Sequence, residues 1–254
     1  GALVLGTAFP HLLKSIGGVK WQLIIYTTSA LALTGGLSIL LFVPDGPNRT
    51  SGQKPKIGAF LSAFKQQKFS AAALGYFGHM WELYAFWIFV PVMLSTYKSQ
   101  HTAATYHVPL LAFLIILAGS FSCVAGGFLA LKYGAKRIAS LALSLSATCC
   151  ICSPLMLMSN SSIVFIAFLT IWSIAVIADS PLFASLIAQH APSEYKGAAL
   201  TIVNCIGFAI TIVSIQLVGL LYTYLNPTYS YVVLAFGPIL GLIALLRKTT
   251  SNCE

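Results

Sequence analysis

The sequence predicts an all-α membrane protein, a polytopic bundle of seven full transmembrane helices and one truncated helix. Apolar residues fill 58% of the 254 positions and charged residues only 7%, and the mean hydropathy is +0.88. A water-soluble domain of this composition would lack the polar surface to cover itself. Lipid is therefore the expected solvent, and helices satisfy their own backbone hydrogen bonds in lipid.

Seven apolar runs reach or approach the roughly 20 residues that cross about 30 Å of hydrocarbon. They cover residues 21–43, 71–97, 108–131, 138–158, 163–188, 198–222 and 231–246. Residues 1–13 are also apolar but too short to cross. Because the chain begins inside this run without a Met, we expect it to be the end of a truncated eighth helix.

The basic residues between the runs predict the orientation. Consecutive spans cross the membrane in opposite directions, so the segments between them lie on alternate faces. Eleven basic residues then lie on one face, namely Arg49, Lys54, Lys56, Lys65, Lys68, Lys132, Lys136, Arg137, Lys196, Arg247 and Lys248. The other face has three, namely Lys14, Lys20 and Lys98. The positive-inside rule makes the first face cytoplasmic. The long basic loop at 44–70 and the tail at 249–254 are then cytoplasmic, in an integral, multi-pass protein.

Two acids lie well inside predicted spans, Glu82 and Asp179. An ionisable group at the centre of a membrane helix costs at least about 2.5 kcal/mol, so each acid calls for a reason. Both lie about 14–17 Å from the cytoplasmic ends of their helices, near the middle of the bilayer. A carboxyl group there can take a proton from one side and release it to the other.

His79 precedes Glu82 by three residues and so shares its helix face. A His and Glu pair at this depth is a candidate proton relay. A structural alternative stays open. In it Glu82, protonated or hydrogen-bonded to His79, ties helices together, and Asp179 caps the backbone that Pro181 leaves without a hydrogen bond.

Several uncharged residues are candidates for contact with a solute in a cavity, namely Tyr76, Trp81, Tyr84, Trp172 and Asn204. Aromatic residues in membrane helices also serve in packing, and amides also bond neighbouring helices. Five of the six cysteines lie in apolar runs without metal-site spacing, so we expect inert thiols and no metal site. Nucleotide-binding and hydrolase motifs are lacking, so no enzyme is predicted.

The segment from Gly127 to Arg137, GFLALKYGAKR, resembles the cytoplasmic loop motif of the major facilitator superfamily, with Leu131 at the motif's Asp position. The order of helices is similar to spans five to twelve of that family. The segments at 75–84 and 197–208 resemble bacterial members of nitrate/nitrite or cyanate type. The loop residues Gly127, Lys132, Gly134, Lys136 and Arg137 are then candidates for gating.

The resemblance implies that residues 1–43 end an N-terminal six-helix half, and that 71–248 form the C-terminal half after the central loop at 44–70. It also implies secondary active transport of a small solute by alternating access, driven by a proton or ion gradient without a cofactor. The expected partners are the solute, the lipid bilayer and the missing N-terminal half in the same or a separate chain, and no nucleic acid. The expected location is a bacterial inner membrane. A receptor or scaffold that does not transport, or an inactive remnant of a transporter, stays an alternative.

Overall fold

A computed structural model of the chain describes residues 4–17, 20–44, 63–101, 104–193 and 196–247. After a π-helical turn at Val4–Ala8, the α-helices in these ranges are α1 Phe9–Ser15, α2 Trp21–Phe42, α3 Gln67–Gln100, α4 Val108–Tyr133, α5 Ala135–Leu157, α6 Ser162–Ala178, α7 Ser180–His190, α8 Lys196–Tyr224 and α9 Phe236–Leu246. A 3-10 turn at Ser230–Ala235 leads into α9. No strand occurs in the described ranges, and the predicted all-α bundle is confirmed.

Six of the predicted spans are long and apolar enough to cross a membrane, counting α6 and α7 together as one. The seventh predicted span, at 231–246, is instead divided into the 3-10 turn and α9, and neither part alone is long enough to cross a membrane. The steeper rise of a 3-10 helix, about 2.0 Å per residue, still lets the two parts cover about 28 Å. The short helix predicted before residue 13 corresponds to the π-helical turn and α1.

The predicted span at 163–188 is broken in its middle at Asp179. α6 ends at Ala178 and α7 begins at Ser180, with Pro181 in the first turn. Proline has no N–H to donate and fits the first turn of a new helix. The backbone carbonyl of Asp179 accepts from the amides of Leu182 and Phe183, at 3.0 Å each. This break leaves the Asp179 side chain free to reach another helix.

The long helix α3 lies at the centre of the bundle and packs against α7, α8 and α9. On the other side, α6 packs against α4 and α5, and the π-helical turn and α1 pack against α4. α2 has no buried residue and contacts α1 and the π-helical turn. The functional candidates on α3 are therefore held between two groups of helices.

The domain boundaries stay predictions. Residues 45–62 of the central loop lie outside the described residues, as do Lys248 and the predicted tail at 249–254. The last residues of the predicted loop are helical, because α3 begins at Gln67. Gly134, between α4 and α5, has φ +89°, a left-handed conformation that glycine adopts without strain.

Candidate functional site

Glu82 lies near the middle of the 34-residue helix α3, and its side chain is fully buried. Three hydrogen-bond donors from two other helices reach its carboxyl group. Trp172 Nε1 donates to Oε1 at 2.5 Å, Cys150 Sγ donates to Oε1 at 3.2 Å, and Ser146 Oγ donates to Oε2 at 2.8 Å. Glu82 thus joins α3 to α5 and α6.

All three donors are uncharged, so in the described ranges no cation is hydrogen-bonded to Glu82. Hydrogen bonds from Trp172 and Cys150 favour the carboxylate. A hydroxyl can also accept, so Ser146 can receive a hydrogen bond from protonated Glu82. The network therefore accommodates both protonation states of one buried acid.

The expected pairing of His79 with Glu82 is wrong. His79 Nδ1 instead lies 2.9 Å from Asp179 Oδ1, and both side chains are buried. This is the distance of an ion pair, but the two atoms lack the alignment of a hydrogen bond. The ring of His79 is 6.2 Å from that of Tyr76 and 5.7 Å from that of Phe183. The contact joins the middle of α3 to the break between α6 and α7.

The alternative in which the Asp179 side chain caps α7 has no support in this geometry, because that side chain makes no capping hydrogen bond. Besides the two atoms of this contact, His79 Nε2 and Asp179 Oδ2 are buried without a hydrogen-bond partner in the described part of the chain, as is Ser173 Oγ on α6. Buried polar atoms nearly always have partners. The pair of His79 and Asp179 therefore has unused hydrogen-bonding capacity for a water molecule or a polar group.

The predicted cavity residues do not converge on one point. Tyr76 is 8% exposed and lies beside His79, and Trp172 is fully buried against Glu82. Tyr84 contacts Trp87 and Phe208, with ring centres 5.0 and 5.4 Å apart.

The remaining two cavity candidates lie apart from the buried acids. The indole N–H of Trp81 donates to the carbonyl of Val233 at 3.2 Å, near the start of α9. Asn204 is exposed on α8.

Sequence reasoning missed Ser146 and Cys150. Their spacing of four residues puts both side chains on one face of α5. This spacing is the only feature of the sequence that could have indicated a shared contact. Cys150 was expected to be an inert thiol, whereas its sulfur donates to Glu82.

The candidate gating residues lie at the junction of α4 and α5. Lys132 Nζ is 5.2 Å from the ring centre of Tyr133, and Lys136 and Arg137 are exposed. None of the three cations pairs with an acid in the described ranges, where the acids are Glu82 and Asp179. A gating charge pair is therefore not seen in this part of the chain.

Trp172→Phe is expected to destabilise the fold by about 1–2 kcal/mol, because Glu82 Oε1 loses its shortest hydrogen bond while it stays buried. The matched control is Trp87→Phe. Trp87 is also buried, and its Nε1 has no hydrogen-bond partner within the described ranges, so Trp87→Phe should cost only the lost ring volume and less than Trp172→Phe. Denaturant unfolding in detergent micelles measures both. Equal losses would mean that the Trp172 hydrogen bond contributes nothing beyond ring volume.

Comparison with known proteins agrees with the helical layout. The family model described as Major Facilitator Superfamily matches residues 1–215, most of the chain up to the middle of α8. A comparison with curated proteins found no match.

Proposed function

The chain belongs to the major facilitator superfamily, and from this premise we propose that it carries a small solute across the membrane together with, or in exchange for, protons. Membership of this family indicates a membrane transporter, whereas the proposed coupling to protons rests on the buried acids Glu82 and Asp179. The observation that carries the proposal is the contact of His79 with Asp179 at 2.9 Å, one turn of α3 from Glu82. A gradient then supplies the energy without a cofactor.

The break at Asp179 supports alternating access as the mode of movement. A helix interrupted within the membrane can bend there without breaking further hydrogen bonds, because Pro181 donates none. The side chain at the break contacts His79 on α3, so a change in this contact affects the link between two groups of helices. We infer that this contact and the angle between α6 and α7 change together.

Further helices are needed to complete a cavity with two sides, and one exposed surface supports their placement. The exposed face of α8 includes Asn204 and Gln216 among apolar residues such as Phe208 and Ile212, 48% and 64% exposed. Amides are costly in lipid without a partner. We propose that this face packs against the N-terminal six-helix half, which α2 ends and whose other helices lie in the same or a separate chain.

The orientation proposed from the basic residues places the start of α3 and the end of α9 on the cytoplasmic side. Lys65, Lys68, Lys132, Lys136 and Arg247 all lie at that end of the described helices. The excess of Lys and Arg supports the cytoplasmic assignment, and a bacterial inner membrane is the proposed location.

Glu82→Gln tests the proposal, because glutamine keeps the shape of the side chain but cannot carry the proton. The full-length protein is reconstituted in proteoliposomes with an internal pH dye and screened against small organic anions, sugars and amino acids. We expect wild type to couple one class of solute to proton movement. The variant should lose at least about tenfold in proton-driven accumulation and retain exchange of solute down its own gradient.

Glu82→Asp is the matched variant that keeps a titratable group, so part of the accumulation should persist. Undiminished accumulation by Glu82→Gln would remove Glu82 from the coupling mechanism. A receptor or scaffold built on this fold would bind a solute without any flux, and the same liposomes distinguish it from a transporter.

A further inference from the structure

A groove of about 540 Å³ lies between α3, α8 and α9, separate from the buried acids. Leu74 and Gly78 of α3, Val213 of α8, and Leu240 and Ile243 of α9 line it. The groove is not lined by Glu82, His79 or Asp179. Trp81 closes one end, where its indole N–H is fixed by the carbonyl of Val233 and its ring centre is 6.0 Å from that of Phe236.

The side walls of the groove are apolar and open outward. Leu74 is 46% exposed, Val213 58%, Leu240 49% and Ile243 53%. In a membrane-spanning bundle such exposed apolar walls face hydrocarbon. An occupant that enters from this side is therefore itself mostly apolar.

The other end of the groove is polar and cationic. Gln67 and Ser70 lie there at the start of α3, and Arg247 lies there at the end of α9. Lys65 and Lys68 are exposed in the adjacent turns. Arg247 has no ion-pair partner in the described ranges, because the acids there are the buried Glu82 and Asp179. A guanidinium group offers several N–H donors in a geometry that suits phosphate.

The groove is long enough to span one leaflet of a bilayer. From Gln67 to Trp81 the helix rises about 21 Å, whereas one leaflet has about 15 Å of hydrocarbon. A chain anchored at the Arg247 end would thus lie in the groove along the full depth of its own leaflet. A small polar solute would leave most of this apolar length unfilled.

We propose that the groove binds one acyl chain of an anionic phospholipid whose phosphate is held by Arg247. The apolar walls accept the chain, and Gln67 and Ser70 lie beside Arg247 at the headgroup level. Anionic lipids are favoured over zwitterionic ones because Lys65 and Lys68 add positive charge at the same level.

The test is native mass spectrometry of the full-length protein titrated with phosphatidylglycerol or phosphatidylcholine. Wild type should retain one phosphatidylglycerol at least about fivefold more tightly than phosphatidylcholine. Arg247→Gln should lose this preference. Leu240→Trp, which fills the groove from an exposed position, should weaken the binding of both lipids. If Leu240→Trp fails to fold, Val213→Trp fills the groove from the opposite wall and should weaken the binding of both lipids in the same way.

Two variants away from the groove serve as controls. Lys132→Gln removes a cation from the same proposed face, and Ile171→Trp enlarges an exposed residue of α6, 48% exposed in wild type. Both should bind like wild type. Three outcomes would overturn the proposal: no effect of Arg247→Gln, an equal effect of Lys132→Gln, or complete displacement of the lipid by inorganic phosphate alone.

Discussion

His79→Leu is expected to lower the free energy of unfolding by about 3 kcal/mol, because it leaves the Asp179 carboxyl group buried without its nearest polar neighbour. Leaving a buried carboxyl group without a polar partner is among the costliest single changes in a protein interior. Leucine is similar in volume to the imidazole ring and fills the space beside Tyr76 and Phe183, so most of the loss comes from the polar contact. Denaturant unfolding in micelles, followed by tryptophan fluorescence, measures it.

A double-mutant cycle with Asp179→Asn identifies the source of the loss. If the cost comes from the stranded carboxyl group, then His79→Leu in the Asp179→Asn background should cost at most about 1 kcal/mol. His107→Leu is the control, because His107 is exposed and its loss should change stability by less than about 0.5 kcal/mol. Strictly additive single effects would show that His79 and Asp179 do not interact.

The spans were predictable because the length and apolar composition of a run, which decide whether it can cross hydrocarbon, are properties of the sequence alone. A run of apolar residues long enough to cross hydrocarbon needs no information about neighbours, and helix ends agree with the predictions to within a few residues in most cases. The split of residues 230–246 into a 3-10 turn and α9 was not predictable, since both parts belong to one apolar run.

The identity of the key acids was also predictable, but their partners were not. Glu82 and Asp179 are conspicuous because a carboxyl group in an apolar run is costly wherever it points. The partner of each depends on how the helices rotate against one another. His79 shares a face with Glu82 by spacing, yet its nearest acid is Asp179 on another segment. Spacing along a helix defines a face and leaves open which neighbouring helix covers it.

The donors to Glu82 illustrate the same limit. Ser146 and Cys150 are small residues in an apolar helix that resembles any other membrane helix in composition. Their position four residues apart acquires meaning only once α5 packs against α3. In the same way, α2 is as apolar as the buried spans, and nothing in its composition indicates that none of its residues is buried in the bundle.

Gly78→Leu is expected to disrupt the fold more than any other single change considered, by more than about 3 kcal/mol. A Cβ atom at Gly78 would overlap the backbone carbonyl of Gly237, and one at Gly237 would lie 2.6 Å from the carbonyl oxygen of Gly78. At this point α3 and α9 touch backbone to backbone, a close approach that small residues allow in membrane helices. Any side chain at Gly78 forces the two helices apart, and thermal unfolding in micelles measures the loss.

The matched control is Gly127→Leu on α4, because a Cβ at Gly127 has no atom within 4 Å. Both changes add the same side chain within a helix, and both remove the flexibility of a glycine. Gly127→Leu should therefore leave stability unchanged or raise it slightly, since leucine is the better helix former. If Gly78→Leu and Gly127→Leu unfold at the same temperature, then the contact of α3 with α9 at Gly237 is looser than the backbone geometry requires. If only Gly78→Leu fails, the position of α3, and with it that of His79 and Glu82, depends on this contact.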